Sequence, residues 1–549
     1  MYGLYVLYIL RIFGTQNLFN AMSANPKKGY PNNLTYLVFP FYFNEPLADM
    51  ASGSAPDSLI GKIDGIISND KTLWVRKDAT IDDNVLYEYI KPNINADTTP
   101  FLAYALRSFE GKEGEGNPLK AIRNKVWEKL EPVLSVPGQD KTYRVGFGRD
   151  RNNWNGPTLL VSPRSGVGML VLSVNPVLAN PTVYDIIDFN YHLHKIDGQQ
   201  KLFMPSKLQE LTNPKAIEAR KELLNLMRTG LKVKDCNVNE EGLIFTLLDV
   251  MEMLLTGLPS MSLFEKGRVH VFTYYNFIQD SLTLTEDEKQ AMILLTRCAD
   301  NKYNIPVEHF DESLAYISTF SNIYMGSSIE GGCICTIEQG MDGPDANPAN
   351  GFIRNFALGI LQHRYLWLYF MALIQRYEML HTVAGLSALD LHDGTAAQRE
   401  DFKREYGNFC STKIQGFFRN VSSFSQHNQF YKFLIDNMEV DELYGEVENK
   451  MQIVDSYLQM RNNELQAQRN ELLETRNEQN EKRNHRLNRL SLWLSVFFAV
   501  ATFSQAAESL YHICTGTGWG QIYFGLGTLG VYAIAIILIY ILVIKQNSR

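Results

Sequence analysis

Hydrophobic and polar positions change character twice along this chain. From Leu490 to Ile513, and again from Ile522 to Ile544, apolar residues run almost unbroken. Each run is about 24 residues, and at ~1.5 Å of rise per residue either one crosses a ~30 Å hydrocarbon core as a helix. Between Cys514 and Gln521 there is no Lys or Arg, whereas Lys482, Arg483, Arg486 and Arg489 precede the first run and Lys545 and Arg549 follow the second. That asymmetry predicts two spans with both termini in the cytoplasm of an inner membrane and only the turn outside. A buried helical hairpin of a soluble protein is the competing reading.

Upstream of the first run the pattern becomes a seven-residue repeat. Asn463, Asn470, Asn477 and Asn484 recur at that spacing, with Arg before three of them and Glu after three. Val447, Met451, Val454, Leu458, Leu465 and Leu472 form a 3–4 seam that fades from Thr475. The reading is a stalk helix over 441–489, bundled where it starts and solvated near the membrane. A solvated surface that happens to repeat reads equally well.

The first apolar run carries a polar face. Asn484, Asn488, Ser491, Ser495, Phe498, Thr502, Gln505 and Ser509 follow one another at steps of three and four. A polar stripe inside a bilayer must face protein or water. Several copies around an axis would shelter it, with the first helix lining a pore and the second facing lipid. Asn470, Asn477, Asn484, Asn488, Ser491, Ser495, Phe498, Thr502, Gln505 and Glu508 are then the pore-lining candidates. Phe498 would make a hydrophobic constriction and Glu508 an acidic ring at the mouth. Hydroxyl and amide contacts between packed helices, with no pore, are the other explanation.

Before the stalk, the period belongs to a water-soluble α+β body. Leu34 to Phe43 reads as an apolar, aromatic strand, and Leu73 to Arg76, Leu159 to Val161, Met169 to Val174 and Val269 to Tyr275 as further strands. Helical spacing covers Ala121 to Leu134, Pro214 to Lys232, Gly242 to Gly257, Ala396 to Phe418 and Gln426 to Met438. Thr285 with Glu288 forms a capping box for a helix through Cys298. Phe356 to Leu380 imitates a membrane span, but His363, Arg364, Gln375, Arg376 and Glu378 interrupt it, which makes it a core helix of the body. Met1 to Asn20 is apolar without the marks of a secretory signal: a peripheral helix, or a stretch upstream of a start at Met22. The expected organisation is an N-terminal apolar segment (1–30), an α+β sensor domain (31–340), a helical subdomain (341–440), the stalk (441–489) and a transmembrane hairpin with a basic tail (490–549).

Composition adds exclusions. The formal net charge of the 549 residues is −8, which offers no footprint for direct nucleic-acid binding. Six cysteines are scattered, five of them in the part expected to be cytoplasmic, which favours free thiols. Cys333 and Cys335 lack a second pair to complete a zinc set. His192 and His194, read as strand residues on one side, lack further ligands. No Walker loop, nucleophile elbow or zincin motif occurs, and Gly525-Leu-Gly527-Thr-Leu-Gly530 falls inside the second apolar run rather than after a strand. No acid/base or nucleophile constellation emerges, so the chain is not read as an enzyme.

One soluble stretch has the chemistry of a ligand site. Tyr143 to Val174 holds Arg144, Arg149, Arg151, Trp154 and Arg164 among Gly146, Gly148, Gly166 and Gly168. Glycine lets backbone approach a phosphate, Arg pairs with it bidentately, and Trp stacks on a base. A small nucleotide fits that set. An ordinary hairpin with charged turns also fits.

The order of parts, together with the text RLNRLSLWLSVFFAVATF from Arg486 to Phe503, resembles the CorA family of divalent-cation channels. That resemblance implies a homopentamer. The family's Gly-Met-Asn signature is absent, and Gln505 to His512 stands in its place, so magnesium selectivity does not carry over. The soluble part is also long for the family. A CorA-type membrane module under a large, different sensor resembles the CorA-like effectors associated with type III CRISPR systems. Such proteins are implied to act against phage by disrupting the membrane when a nucleotide messenger binds, in one case a conjugate of S-adenosylmethionine and AMP. No other cofactor is expected beyond a possible divalent cation. A divergent divalent-cation channel and a membrane-anchored scaffold remain as alternatives.

Overall fold

The computed structural model describes residues 32–44, 59–68, 74–77, 85–87, 102–106, 132–136, 141–147, 157–162, 165–178, 180–196, 200–205, 242–303, 316–340, 350, 352–353, 356–388, several single positions from 400 to 413, 418–514 and 520–547. The helices expected over 1–20 and 214–232 and most of the helix expected over 121–134 lie outside these. The chain separates into two compact units, Met1–Val454 and Asp455–Arg549.

The first unit is built on a mixed sheet whose middle strand is the aromatic run of the sequence. β1 (Asn33–Phe43) lies antiparallel between β7 (Val167–Pro176) and β11 (His270–Ile278), and β14 (Gly331–Glu338) joins β11 in parallel. Thus β7, β11 and β14 point the same way. β13 (Ile323–Ser327) and β12 (Tyr316–Phe320) continue beyond β14. On the other side β5 (Thr142–Phe147) and β6 (Thr158–Val161) pair different stretches of β7. β3 (Leu102–Leu106) and β2 (Trp74–Lys77) follow from β6; β4 (Val133–Ser135), β8 (Leu202–Pro205) and β9 (Gly242–Phe245) follow from β5. β10 (Met261–Leu263) pairs the end of β1.

Both faces of this sheet are covered. In β1, Leu34, Tyr36 and Val38 enter one core, and Leu37, Phe39, Phe41 and Phe43 the other. Burial on both sides is why the strand reads as a continuous apolar run instead of an alternation. One face packs against α1 (Leu59–Ser68), α2 (Val183–Leu193), α3 (Leu247–Leu255) and α4 (Glu286–Arg297). The other packs against π-helical turns at Phe356–Tyr365, α5 (Leu366–Ser387) and α6 (Ser425–Asn437). Every residue of α5 from Leu366 to Met379 is buried, as a helix apolar all round requires.

Local signals set the boundaries. Thr285 and Glu288 cap α4 reciprocally, and Thr182 with Asp185 and Thr246 with Asp249 do the same for α2 and α3. Two expectations are corrected here. The stretch from Gly242 to Gly257 is not all helix: Gly242–Phe245 is a strand, because its apolar run pairs β8, and the helix begins only after the Thr246 cap. Val133 and Leu134, expected to end a helix, lie in β4 between β5 and β8.

α6 turns into α7 (Val440–Cys514) through Met438 and Glu439, the latter with φ of 53°. Val447, Met451 and Val454 of α7 are buried in the first unit.

The second unit contains the rest of α7 and α8 (Gly520–Asn547). In it Leu458 and Leu465 are half-buried and Leu472 is 70% exposed. Among the described residues one helix, traced over Val440–Glu508, is long and apolar enough to cross a membrane, and its apolar window has no buried share. A shorter apolar stretch, Leu529–Leu538, lies in α8. The rings of Phe503 and Tyr532 meet edge to face at 5.5 Å.

Candidate functional site

The polar residues that break the apolar run of α5 form its most connected turn. Gln375, Arg376, Tyr377 and Glu378 are consecutive and buried. Successive residues of a helix point about 100° apart, so four in a row reach in all directions. Gln375 accepts from the Tyr431 hydroxyl of α6 at 2.9 Å. Arg376 donates to the Met438 carbonyl, at the end of α6, and its Nη1 lies 3.8 Å from the Glu439 carboxylate. Tyr377 donates to Glu265 at 2.8 Å and contacts His270 Nε2. Glu378 Oε1 accepts from Ser162 Oγ at 2.5 Å and from Ser165 Oγ at 2.8 Å, both in the β6–β7 connection.

That connection is a tight turn. Ser162 and Val167 close it by backbone hydrogen bonding at 2.8 Å, and Gly166 takes φ of 68°, which glycine adopts without a Cβ penalty. A buried carboxylate needs donors, and the two serines supply them. At the opposite side of α5, the last carbonyls of α6 have no partners within their own helix, and the guanidinium reaches one of them.

His270 lies beside this turn at the start of β11. Burial pushes its imidazole down to about 3, with Arg376 adding to the effect, so the ring is neutral. Tyr377 spends its proton on Glu265, so His270 must donate through Nε2–H to the Tyr377 oxygen. Nδ1 is left as an acceptor with no hydrogen-bond partner. Burial, and then Glu265, push the Tyr377 hydroxyl up. Tyr42, Phe264 and His381 pack against the same corner at ring separations of 4.8–6.1 Å.

A second polar cluster joins β5 to α2. Tyr143 donates to Asp188 Oδ2 at 2.8 Å. Lys141 Nζ lies 3.0 Å from Asp185 and 3.4 Å from Asp188. Although its partial burial works the other way, hydrogen bonds with Tyr143 and Asp185 raise the Lys141 ammonium. His192 Nε2 stands 3.5 Å from Asp188 Oδ1, and burial lowers its imidazole despite that neighbour. His192 belongs to α2 and His194 caps it, which corrects the strand reading of this pair. The capping box at Thr182 nucleates a helix there. Among the described residues no group of three or more His, Cys, Asp or Glu is placed to hold a metal ion.

No protein-family model, curated protein or solved structure matches this chain. The site therefore rests on its own geometry.

Of the residues expected to bind a nucleotide, Arg144 lies half-buried on β5, where its carbonyl accepts from Val177 at 2.8 Å. Its side chain leaves the strand on the face opposite Tyr143, as alternation requires. Arg149, Arg151, Trp154 and Arg164 lie outside the described residues. Asn470, Asn477, Asn484, Asn488, Ser491, Ser495, Phe498, Thr502, Gln505 and Glu508 are all on α7 and all exposed. Ser495 donates to the Ser491 carbonyl and Thr502 to that of Phe498, each at 2.8 Å. Cys333 and Cys335 are buried on β14, where Thr296 Oγ1 meets Cys333 Sγ at 3.0 Å.

Sequence reasoning missed Ser162, Ser165, Glu265, His270, Tyr377 and Glu378 as a connected set, and Asp188 as the centre of the second cluster. For α5 the signal was present: polar residues in a helix otherwise apolar on every side.

Proposed function

We propose that this chain is a CorA-like membrane protein whose first apolar helix lines an oligomeric pore, opened when the sheet-bearing unit binds a nucleotide messenger. The second helix completes a hairpin, and the assembly is a homo-oligomer, pentameric by resemblance. One observation carries the reading: α7 is a single 75-residue helix. It starts in the core of the first unit and holds the polar stripe in its apolar part. A continuous helix transmits displacement along its axis, so a change at its root reaches the stripe. The stripe's amides and hydroxyls are exposed in the protomer, and in a bilayer they need protein or water opposite them. Phe498 then narrows the pore. The biological role that goes with this is antiviral membrane disruption in type III CRISPR defence.

The test is dye and ion leakage from liposomes holding the purified full chain, with and without an S-adenosylmethionine–AMP conjugate, magnesium being varied separately. Leakage only with the nucleotide, lost in Arg149→Ala and Arg151→Ala, supports the proposal. Magnesium flux indifferent to nucleotide would replace it with a divergent cation channel.

A second reading draws on the hydroxyls of Ser495 and Thr502, which bond to carbonyls of their own helix. Such hydroxyls tolerate lipid, and the two helices would then only anchor the first unit. Exchange of residues 490–549 for an unrelated hairpin preserves activity under this reading and abolishes it under the first.

A further inference from the structure

Arg376 and Glu378 stand two positions apart on α5, so their side chains leave nearly opposite sides of the helix. Glu378 holds the β6–β7 turn through Ser162 and Ser165. Arg376 holds the root of α7 through the Met438 carbonyl and the Glu439 carboxylate. Both are polar and buried, so neither can leave its partners without stranding hydrogen-bonding groups in the interior. The helix between them is locked at the same turn by Tyr431 on Gln375 and by Glu265 and His270 on Tyr377.

The root of α7 is a natural place for two states. Glu439 is a non-glycine residue in the left-handed region, between the Met438 cap of α6 and the start of α7, and its carbonyl accepts from Leu443 at 3.1 Å. Such a corner persists only where its surroundings hold it. Here the holding group is Arg376.

We propose that the turn Gln375–Glu378 is a coupling element: it links the β6–β7 turn, which lies within the arginine- and glycine-rich stretch of the sequence, to the corner where α7 begins. Displacement of Ser162 and Ser165 shifts α5 and loosens Arg376 from Met438. By linkage, disturbance of the Glu439 corner loosens the β6–β7 turn to the same extent. The use of this link in gating rests on the ligand-gated reading above; the link itself belongs to the first unit.

Amide hydrogen exchange on the full chain in lipid nanodiscs measures it directly. In the Ser162→Ala/Ser165→Ala double variant, the amides of Met438, Glu439 and Leu443 should exchange about tenfold faster, with α4 unchanged. In Arg376→Lys the amides of Gly166 and Val167 should do the same. Faster exchange confined to the altered element, or a uniform rise that includes α4, overturns the proposal. Leakage assays on the same variants separate the two ideas. Coupling without any nucleotide-dependent leakage leaves the link standing and removes the pore. Leakage without coupled exchange keeps the pore and removes the link.

Discussion

Tyr143 donates a hydrogen bond to Asp188 at 2.8 Å, tying β5 to α2 across the buried boundary between sheet and helix. Asp188 is almost wholly buried, and its second oxygen has no hydrogen-bond partner. The Tyr143 hydroxyl and the Lys141 ammonium are thus the groups that keep this carboxylate solvated. Tyr143→Phe removes a hydrogen bond to a charged group, at a cost of about 1.5–3 kcal/mol. Urea unfolding of the first unit, followed by tyrosine and tryptophan fluorescence, should show the midpoint fall accordingly. An unchanged midpoint would mean that Lys141 alone suffices.

His270 makes the first unit sensitive to acid. Its folded pKa is depressed to about 3 by burial, below the ordinary ~6.5. The unfolded chain therefore binds the extra proton first. The stabilisation is complete above pH ~6.5 and is lost as pH falls toward 3, at up to about 1.4 kcal/mol per pH unit. His194, lowered to about 4 by burial, acts in the same direction. Thermal unfolding between pH 7 and pH 4.5 should show a steep fall that His270→Gln makes shallower.

Gly331 opens β14 where it pairs with β11. A Cβ there would lie 2.4 Å from the Val271 carbonyl oxygen, a backbone atom that cannot swing aside. Gly331→Ala should destabilise the first unit by about 1–3 kcal/mol, as forced overpacking does. At Gly445, a half-buried helical position where nothing lies within 4 Å of the added carbon, alanine should be neutral or slightly stabilising. Paired denaturation curves of the two variants check the contrast.

Thiol labelling should sort the cysteines by burial. Cys298, Cys333 and Cys335 are buried and Cys410 is half-exposed. Burial raises the Cys298 thiol, and the Cys333 neighbour followed by burial raises that of Cys335. The Cys333 thiol is lowered, against its burial, by hydrogen bonds with Cys335 and Thr296, but burial shuts reagent out, so iodoacetamide should modify Cys410 promptly and these three only after unfolding. Peptide mass spectrometry of a time course reads this out.

The sequence by itself determined the features that depend on local period and on composition. The apolar run from Leu490, the aromatic strand at Leu34 to Phe43, the Thr285 capping box and the core position of Phe356 to Leu380 each follow from residues close together in the chain. So did the interruption of α5 at Gln375 to Glu378, though not its meaning. Only the tertiary structure decided what those polar residues bind. Glu378 meets serines 216 and 213 positions away, and Tyr377 meets Glu265 across 112. No periodicity encodes such pairings, because a buried charge is satisfied by whichever donors the packing of sheet on helix brings within about 3 Å. The same holds for His192, which the capping box at Thr182 carried from an expected strand into a helix, and for Gly242 to Phe245, whose apolar run was claimed by pairing with β8. Short apolar runs fit either period, and it is the neighbour across the sheet that chooses between them.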